Sequence, residues 1–484
     1  MAVLVHGLAV AGAATVRALQ RRGVDVVASD DTWTPARAAL AAELGVELVV
    51  PAKGDMGGAD DLAWLVASCE YVVPAPGVPE THRLFGAAAA AGRPVRSEIE
   101  LAYRWEAEER PGGPRPMLAV TGTDGKTTTT LLAVEMLAAG GVCSVAAGNT
   151  DVPLVEALDL DVDAFVVECT SFRLAWADTF RADAAAWLNL APDHLNWHAD
   201  MATYEAAKAR IFDQQRTSDV AIGFADDPVV VAHLASARGR RRTFAWHGAD
   251  YRVEGDGASA QLVGPVGVLA AVADMRRSLP HDVTNGLAAA ALVIEAGLAG
   301  PDAVAAGLAS FVGPPHRIEL VGDADGVAWY NDSKATTPHA ASVAIRAFEH
   351  VVLIAGGSSK GLDLSVMAAE PARVRAVIAI GEAAPSIAAV FAGLAPVSTV
   401  ASMSDAVERA GSLARDGDVV LLSPGCASFD WYPDGGYLAR GDDFRRLVAA
   451  RLGGRVANTR AHGPAAPTSA SPAAPTTASP GARR

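Results

Sequence analysis

One stretch of the chain combines the residue types that hold a nucleoside triphosphate. The run 117–120 is apolar, and the glycines Gly122 and Gly125 follow it, just before Lys126 and Thr127. Glycine lets the backbone turn its N–H groups inward, and the N-terminus of a following helix adds the positive end of its dipole. The lysine can contact the outer phosphates, and the threonine hydroxyl can ligate magnesium. The pattern predicts a phosphate-binding loop.

The loop is shorter than the common G-x-x-x-x-G-K-[ST] pattern. Val120 stands five residues before Gly125, where that pattern has glycine. Short motifs of this kind also occur by chance. A Gly-rich turn that carries a surface lysine is therefore an alternative interpretation when this stretch is taken alone.

An acid and a histidine follow two other apolar runs. Glu168 ends the run 164–168, and His194 comes after the run 184–190. The carboxyl ends of parallel strands meet at one edge of a sheet, where α/β proteins bind their ligands. Beside a phosphate loop, these two side chains can hold a divalent ion and its waters. We favour this interpretation over a helix-capping acid and a turn histidine.

The elements that must position these residues alternate between strand and helix patterns, which predicts an α/β fold with three domains. Residues 1–110 are predicted to form a Rossmann-like domain. Residues 111–313 are predicted to form a P-loop ATPase-like domain with a mainly parallel sheet and a small part, about 223–274, of short strands. Residues 314–455 are predicted to form a second Rossmann-like domain. The segment 456–484 is rich in Pro, Ala, Thr and Ser, cannot bury a core, and is predicted to be disordered.

The amino-terminal turn has two interpretations. Gly7 and Gly12 lie between an apolar strand and a helix predicted over 13–22, and Asp30 follows the second strand. This spacing is similar to a dinucleotide-binding fingerprint. Ala9 replaces its middle glycine, which disfavours the close approach of a pyrophosphate. A weak dinucleotide site and a plain βαβ packing turn both fit the sequence, and we favour the second.

Composition restricts the class of protein. The 484 residues carry a net charge of -15, which argues against nucleic acid as the main partner because phosphate backbones require basic surfaces. The four cysteines lie far apart, which argues against a zinc site or a disulfide framework and fits a reducing compartment. The sequence shows neither a signal-peptide pattern nor an apolar run long enough for a membrane span. We expect a soluble, cytoplasmic protein.

Motifs along residues 1 to about 455 resemble those of the Mur ligases. The phosphate loop 121–128 is similar to T-G-T-N-G-K-T-T, with Asp124 in place of asparagine, and Asp282 replaces a second asparagine in H-N-x-x-N. The matching segments are 121–128, V-E-C-T-S-F at 167–172, L-N-L-A-P-D-H at 188–194, Y-E-A-A-K-A-R-I at 204–211, H-D-V-T-N at 281–285, P-H-R at 315–317 and N-D-S-K-A-T at 331–336.

The resemblance implies roles for individual residues. The implied catalytic residues are Lys126, Glu168, His194, Lys208 and Lys334. The implied ATP contacts are Gly122, Thr123, Asp124, Gly125, Lys126, Thr127, Thr128, Asn285, Arg317 and Asp332. The implied ligands of two magnesium ions are Thr127, Glu168, His194 and Lys208, the last as a carbamate. The implied contacts to a UDP-linked substrate are Gly7, Asp30, Gly77, Asn149 and Thr170. The implied contacts to D-glutamate are Thr336, Lys360, Ser428 and Tyr437.

The resemblance also implies the reaction. It is strongest with the branch of the family that uses ATP to add D-glutamate to UDP-N-acetylmuramoyl-L-alanine, through an acyl phosphate, in cytoplasmic peptidoglycan precursor synthesis. It further implies a monomer without nucleic-acid or membrane partners.

Three alternatives to this reaction are considered. One is another Mur-type ligase, of which the diaminopimelate-adding kind is disfavoured by the missing D-N-P-[RK] stretch. The second is a folylpolyglutamate-type ligase, which the N-terminal nucleotide domain disfavours. The third is a non-ligase nucleotide-binding switch, which the missing N-K-x-D guanine motif disfavours.

Overall fold

The structure, a computed structural model, describes residues 2–51, 61–359 and 361–453. The strands are β1 Val3–His6, β2 Val26–Ser29, β3 Leu48–Val49, β4 Val72–Pro74, β5 Met117–Thr121, β6 Ser144–Gly148, β7 Ala164–Glu168, β8 Ala184–Trp187, β9 Val220–Phe224, β10 Arg240–Phe244, β11 Arg252–Glu254, β12 Gln261–Gly264, β13 Gly267–Ala271, β14 Glu319–Ala324, β15 Val327–Asn331, β16 Val351–Gly356, β17 Val374–Ile380, β18 Val397–Thr399 and β19 Val419–Leu422.

Helices separate most of these strands. They are α1 Val10–Arg21, α2 Pro35–Glu43, α3 Asp61–Ser68, α4 Arg83–Ala90, α5 Glu98–Glu109, α6 Lys126–Ala139, α7 Leu154–Ala157, α8 Ser171–Leu174, α9 Met201–Ala209, α10 Pro228–Ser236, α11 Pro280–Glu295, α12 Pro301–Ser310, α13 Pro338–Arg346, α14 Ala384–Val390, α15 Met403–Leu413 and α16 Gly436–Arg451. Short 3₁₀ segments lie at Arg210–Phe212, Gly257–Ser259, Val272–Asp274, Leu364–Ala368 and Pro371–Arg373.

The strands form four sheets within the described residues. The first has the order β3-β2-β1-β4, and the second, here called the central sheet, has the order β10-β9-β8-β5-β7-β6. Both are parallel throughout. A small antiparallel sheet, β11-β12-β13, follows. The fourth sheet, here called the carboxyl-terminal sheet, has the order β14-β15-β19-β16-β17-β18. An α/β fold with parallel sheets is therefore confirmed.

The central sheet brings the predicted chemistry to one edge. β5 lies between β7 and β8, with Val120 opposite Glu168 and Thr121 opposite Trp187. All three strands are buried, as their almost unbroken apolar sequences require. The loops that follow them therefore start side by side. Helix α6 covers one face, and Gly307 lets α12 pack closely on it, since a Cβ there would lie 2.8 Å from the Met136 side chain.

Several element predictions need correction. The part at 223–274, predicted to hold only short strands, contains the helix α10, which begins at Pro228 and is capped by the Asp227 side chain. In the carboxyl-terminal sheet, β14 pairs antiparallel with β15, so this sheet is mixed. Helix α1 begins at Val10 rather than at residue 13. The run 184–190 ends as a strand at Trp187.

No helix in the described ranges is both long and apolar enough to cross a membrane.

Candidate active site

The phosphate loop has the backbone form that its glycines allow. Gly125 has φ +83° and caps α6, and a Cβ added there would lie 2.5 Å from Asn285 Oδ1. Gly122 has φ +155°, and a Cβ there would lie 3.0 Å from the Leu188 side chain. Both positions therefore combine a conformation and a close approach that disfavour any larger residue. The predicted strand, loop and helix are confirmed, and α6 ends at Ala139 with Gly140 as its C-cap.

Asn189 fixes the loop from the neighbouring strand end. Its Oδ1 accepts hydrogen bonds from the backbone N–H groups of Thr123 and Asp124, each at 2.9 Å, and its Nδ2 donates to the Asp124 carbonyl. This explains why β8 stops early, because the chain turns so that Asn189 can reach the loop. The sequence placed Asn189 in a motif but gave it no role.

Two lysines, the half-buried Lys126 and the buried Lys208, share one carbonyl oxygen. Lys126 Nζ donates to the carbonyls of Gly122, at 2.9 Å, and Thr123, at 2.7 Å. Lys208 Nζ, from α9, donates to the same Gly122 oxygen at 2.6 Å. Burial, followed by the charge of Lys126, lowers the pKa of Lys208 well below its ordinary value. Burial also lowers the pKa of Lys126. Both lysines therefore lie at the phosphate loop.

Glu168 is held in place with one oxygen free. Its Oε1 accepts a hydrogen bond from Asn149 Nδ2 at 2.8 Å, while its Oε2 is buried without a partner among the described residues. Arg173 orients Asn149 by donating to its Oδ1 at 2.8 Å, and Glu98 pairs with Arg173 at 3.1 Å. A buried, unpartnered carboxylate oxygen fits a cation ligand.

His194 stands at a strained turn beside the loop. Its φ is +57°, and its backbone N–H donates to its neighbour Asp193 at 2.7 Å. Its ring packs edge-on against Phe172, with centroids 4.7 Å apart. Burial lowers the pKa of His194, which favours the neutral imidazole that ligates metals. Thr127 meets a different partner, since its Oγ1 accepts from Arg317 at 3.1 Å.

The carboxyl-terminal sheet completes the site. Arg317, Asp332 and Lys334 line a cavity of about 430 Å³ together with Gly125 and Asn285. The cavity therefore lies between the phosphate loop and the end of β15. The Asp332 carboxylate accepts from Ser423 Oγ at 2.7 Å, and burial raises the pKa of Asp332 to about 7.

Two of the four predicted D-glutamate contacts, Thr336 and Tyr437, lie beside Lys334. Lys334 Nζ lies 5.3 Å from the centre of the Tyr437 ring, and the backbone N–H of Thr336 donates to the Lys334 carbonyl. Ser428 is buried in the loop after β19. Lys360 lies outside the described residues.

The predicted UDP-substrate contacts belong to two sheets. Gly7 has φ +93° and approaches Ala75, while Asp30 accepts from the Leu8 backbone at 3.0 Å and so braces this turn. Gly77 lies in the loop after β4. Asn149 and Thr170 follow β6 and β7 of the central sheet, and the Thr170 hydroxyl is buried without a partner in the described ranges.

Trp197 and His198 contact the loop after β4, and His198 also contacts the start of α8 after β7. Neither residue was predicted from the sequence. Trp197 Nε1 donates to the Pro76 carbonyl at 2.9 Å. The His198 ring bridges Glu80, at 3.1 Å, and Ser171 Oγ, at 2.9 Å. Their only sequence signal was their position just after the L-N-x-x-x-D-H motif.

Both acids that replace asparagine have acquired cationic partners. Asp124 Oδ2 lies 3.0 Å from Nδ1 of His339. Asp282 lies 3.0 Å from Arg277. Neither partner was predicted. The Asp124–His339 pair depends on the packing of distant parts of the chain, and Arg277, five residues before Asp282, lies outside the motifs.

The fold and this site define an α/β protein with a phosphate-binding loop closed by a second sheet. The Mur ligase middle domain family matches residues 120–293, and the family described as Mur ligase, glutamate ligase domain matches residues 316–426.

Relatives match over nearly the whole chain. A UDP-N-acetylmuramoylalanine--D-glutamate ligase of Frankia casuarinae is 43% identical over 93% of this chain and 94% of its own, and one of Myxococcus xanthus is 39% identical over 93% and 98%. The chain belongs to the Mur ligase family. The UDP-N-acetylmuramate-alanine ligase MurC of Thermotoga maritima shares the fold, with a TM-score of 0.56 and 18% identity over 93% of this chain and 100% of its own.

Proposed function

We propose that this protein is an ATP-dependent ligase that adds D-glutamate to UDP-N-acetylmuramoyl-L-alanine in peptidoglycan precursor synthesis. The observation that carries the proposal is the convergence of Lys126, Lys208 and Arg317 on one phosphate loop, beside an unpartnered Glu168 oxygen. Relatives of the same name, similar over more than nine-tenths of this chain, support the choice of substrates.

We assign the first, the central and the carboxyl-terminal sheets to three functional domains. A Rossmann-like domain at 1–110 would bind the UDP substrate, and a P-loop ATPase-like domain at 111–313 would bind ATP. A second Rossmann-like domain at 314–455 would bind the amino acid and close on the nucleotide. The cavity between the phosphate loop and β15 supports this division.

The reaction must overcome the poor electrophilicity of a carboxylate. An oxygen of the substrate carboxylate attacks the γ-phosphorus of ATP, ADP leaves, and an acyl phosphate forms. The amine of D-glutamate then attacks the acyl carbon, phosphate leaves, and the amine gives up a proton to solvent. Lys126 and Arg317 would stabilise the negative charge on the transferring group, and Lys334 would hold the acyl phosphate from the other side.

The remaining ATP contacts would lie along the phosphate loop and in the cavity beside it. Gly122, Thr123, Gly125 and Thr128 would offer loop groups to the phosphates. Asn285 and Asp332 line the cavity where the rest of the nucleotide would lie.

The donor set also fits magnesium. The Glu168 oxygen, the Thr127 hydroxyl and the His194 imidazole are oxygen and nitrogen ligands at one sheet edge, and two ions would neutralise phosphate charge during transfer.

Lys208 would contribute as a carbamate. Carbon dioxide reacts with a neutral amine, forming an N–C bond while a proton is lost to solvent. Burial and the neighbouring Lys126 lower the pKa of Lys208, and this increases its neutral fraction. The modified side chain would be an anionic oxygen ligand, which suits magnesium.

The two organic substrates would occupy the ends of the site. Gly7, Asp30, Gly77, Asn149 and Thr170 would contact the UDP substrate. Around D-glutamate, Thr336, Lys360, Ser428 and Tyr437 would form the pocket. We also propose a cytoplasmic monomer.

Phosphate release, assayed with UDP-N-acetylmuramoyl-L-alanine and each candidate amino acid in turn, tests this proposal. We expect turnover with D-glutamate and almost none with L-glutamate, diaminopimelate or lysine. Turnover with diaminopimelate or with a folate substrate would favour another ligase of this type. Phosphate release that needs neither co-substrate would favour a nucleotide switch.

Replacing Lys360 by alanine tests the amino-acid pocket. A charge-assisted bond to the side-chain carboxylate of D-glutamate contributes about 1.5–3 kcal/mol. We therefore expect Lys360→Ala to raise the KM for D-glutamate about tenfold or more, with little change in the KM for ATP. Equal changes in both constants would contradict this role.

A further inference from the structure

A carboxylate stands in the phosphate loop itself, opposite a histidine of the helix α13, which connects two strands of the carboxyl-terminal sheet. Asp124 Oδ2 lies 3.0 Å from His339 Nδ1, and the two side chains are 33% and 32% exposed. Both line the 430 Å³ cavity. Asp124 belongs to the loop before α6, whereas His339 lies in the first turn of α13.

The negative charge of Asp124 disfavours the anionic ligand that the rest of the loop favours. Inward N–H groups, the start of α6 and Lys126 all favour an anionic ligand there. A negative side chain at the same place repels a triphosphate unless its charge is balanced. Asparagine would have the same shape without that charge.

Helix α13 gives no reason of its own for a cation at His339. A positive charge in the first turn of a helix is disfavoured by the helix dipole. The hydrogen bond to Asp124 nevertheless raises the pKa of His339, while burial opposes the rise. Asp193 adds to the rise and Arg346 acts against it. The phosphate loop therefore favours the positive form of His339 across the cavity.

The effect on Asp124 is reciprocal. Burial acts to raise its pKa, but the hydrogen bond and charge of His339, then Lys126 and Arg317, hold it below its ordinary value. Asp124 is thus ionised, and His339 is its closest cation at 3.0 Å. The second acid in place of asparagine, Asp282, is balanced in the same way by Arg277.

We infer that His339 is a positioning residue that neutralises Asp124 and so permits tight binding of the nucleotide's phosphates. The inference rests on the proposed function for the identity of the nucleotide. Asp124 lies in the loop after β5 of the central sheet, and His339 lies in α13 beside the carboxyl-terminal sheet. The charge of Asp124 is therefore balanced only while the carboxyl-terminal sheet lies against the loop.

Calorimetric titration with magnesium and adenylyl imidodiphosphate, a non-hydrolysable ATP analogue, tests this inference. We expect His339→Gln to weaken binding about tenfold or more, because one unbalanced charge a few ångströms from the phosphates costs roughly that factor when it is screened as in water, and a larger factor at a lower effective dielectric constant. The double variant Asp124→Asn/His339→Gln should recover most of that loss. A merely structural contact predicts that the double variant stays as weak as the single one, and this result would overturn the inference.

His233 provides a matched control. It lies 2.8 Å from Glu205 with similar exposures, 30% and 37%, but away from the cavity. His233→Gln should therefore bind the analogue like the wild type. An equal loss in this variant would show that any such histidine pair affects binding indirectly, and would overturn the inference.

The pH profile gives a second readout. As pH rises through the raised pKa of His339, the wild type should lose affinity relative to the double variant, because Asp124 becomes unbalanced. A constant ratio between the two from pH 6 to 9 would contradict the role of charge. The titration needs neither amino acid nor UDP substrate, so it decides this inference even if the ligase specificity were wrong.

Discussion

Two lysines that donate to the same carbonyl oxygen form an unusual centre. Lys126 and Lys208 both contact the Gly122 oxygen, at 2.9 and 2.6 Å, and each is buried enough to have a lowered pKa. Two ammonium groups that contact the same oxygen atom repel each other. The repulsion would be relieved if phosphate bound Lys126 or if Lys208 became an anion. Both changes belong to the proposed function.

Replacing Lys126 by alanine tests the first of these changes. The variant loses the cation for the transferring phosphate, and a single such contact typically contributes a factor of about 10²–10³ to kcat. We expect a folded protein with kcat reduced at least that much. Steady-state kinetics and circular dichroism measure the two properties, and near-normal turnover would contradict the nucleotide site.

Replacing Lys208 by alanine tests the second change. We expect most activity to be lost, because an anionic ligand of the site is removed, and partly restored by acetate or formate. Lys208→Arg keeps a cation but cannot form the carbamate, so it should remain inactive. Rescue by amines, or activity in the arginine variant, would indicate an ammonium role instead.

The positions of single residues were predictable where the residue lies in a motif after a strand. Glu168, His194 and Lys126 come from such motifs, and parallel pairing of β5 with its neighbours brings the strand ends together. His339 and Trp197 were not predictable in this way. Their contacts depend on how separate sheets approach each other, and local sequence does not encode that distance.

Among the elements, α5 follows the first sheet in the chain and carries buried acids, one of which pairs with Arg173 beside the central sheet. Three of its acids are buried and paired: Glu98 with Arg173, Glu100 with Arg104 and Glu106 with Arg115. Glu98 also accepts from the backbone of Val155, so this helix contacts the central sheet through polar groups as well as apolar ones.

Glu98→Ala tests the contribution of this helix. Removing one member of a buried ion pair leaves the Arg173 charge unbalanced and costs about 3–5 kcal/mol. We expect a loss of that order in the free energy of unfolding, measured by urea denaturation. Glu109 lies on the same helix α5 and forms a more exposed pair with Arg22. Glu109→Ala should therefore lower the free energy of unfolding by at most about 1 kcal/mol. Equal effects of the two variants would contradict the role of the buried pair.

Element prediction failed where two signals competed. The apolar run Val229–Val231 is typical of a strand, yet Asp227 and Pro228 before it form a helix start, and α10 begins there. Capping of two backbone N–H groups by Asp227 decided the outcome. In β14 the antiparallel pairing follows from a short hairpin through Gly326, which a pattern of alternating strands and helices does not indicate.

For the whole molecule, the site needs more than one sheet. The phosphate loop comes from the central sheet, while Arg317 and Lys334 come from residues next to the carboxyl-terminal sheet. The order of the motifs along the chain predicts a division of roles among the domains, and this division stays a prediction. The depth of the cavity between the sheets was not, because it depends on their relative position.

Removing residues from Gly463 onward tests the prediction for the segment 456–484, which lies outside the described residues. A segment rich in Pro, Ala, Thr and Ser forms no core, so truncation should change neither Tm nor activity. Thermal unfolding and the phosphate assay measure both. A fall in Tm of several degrees would contradict the prediction.

The most direct test of the central claim, that a substrate carboxylate is activated by phosphoryl transfer, follows oxygen atoms. UDP-N-acetylmuramoyl-L-alanine labelled with ¹⁸O in both carboxylate oxygens is converted with ATP and D-glutamate, and the released phosphate is analysed by mass spectrometry. An acyl phosphate predicts one ¹⁸O atom in each phosphate and one in the new amide carbonyl. Phosphate without ¹⁸O, released together with the amide product, would contradict the account.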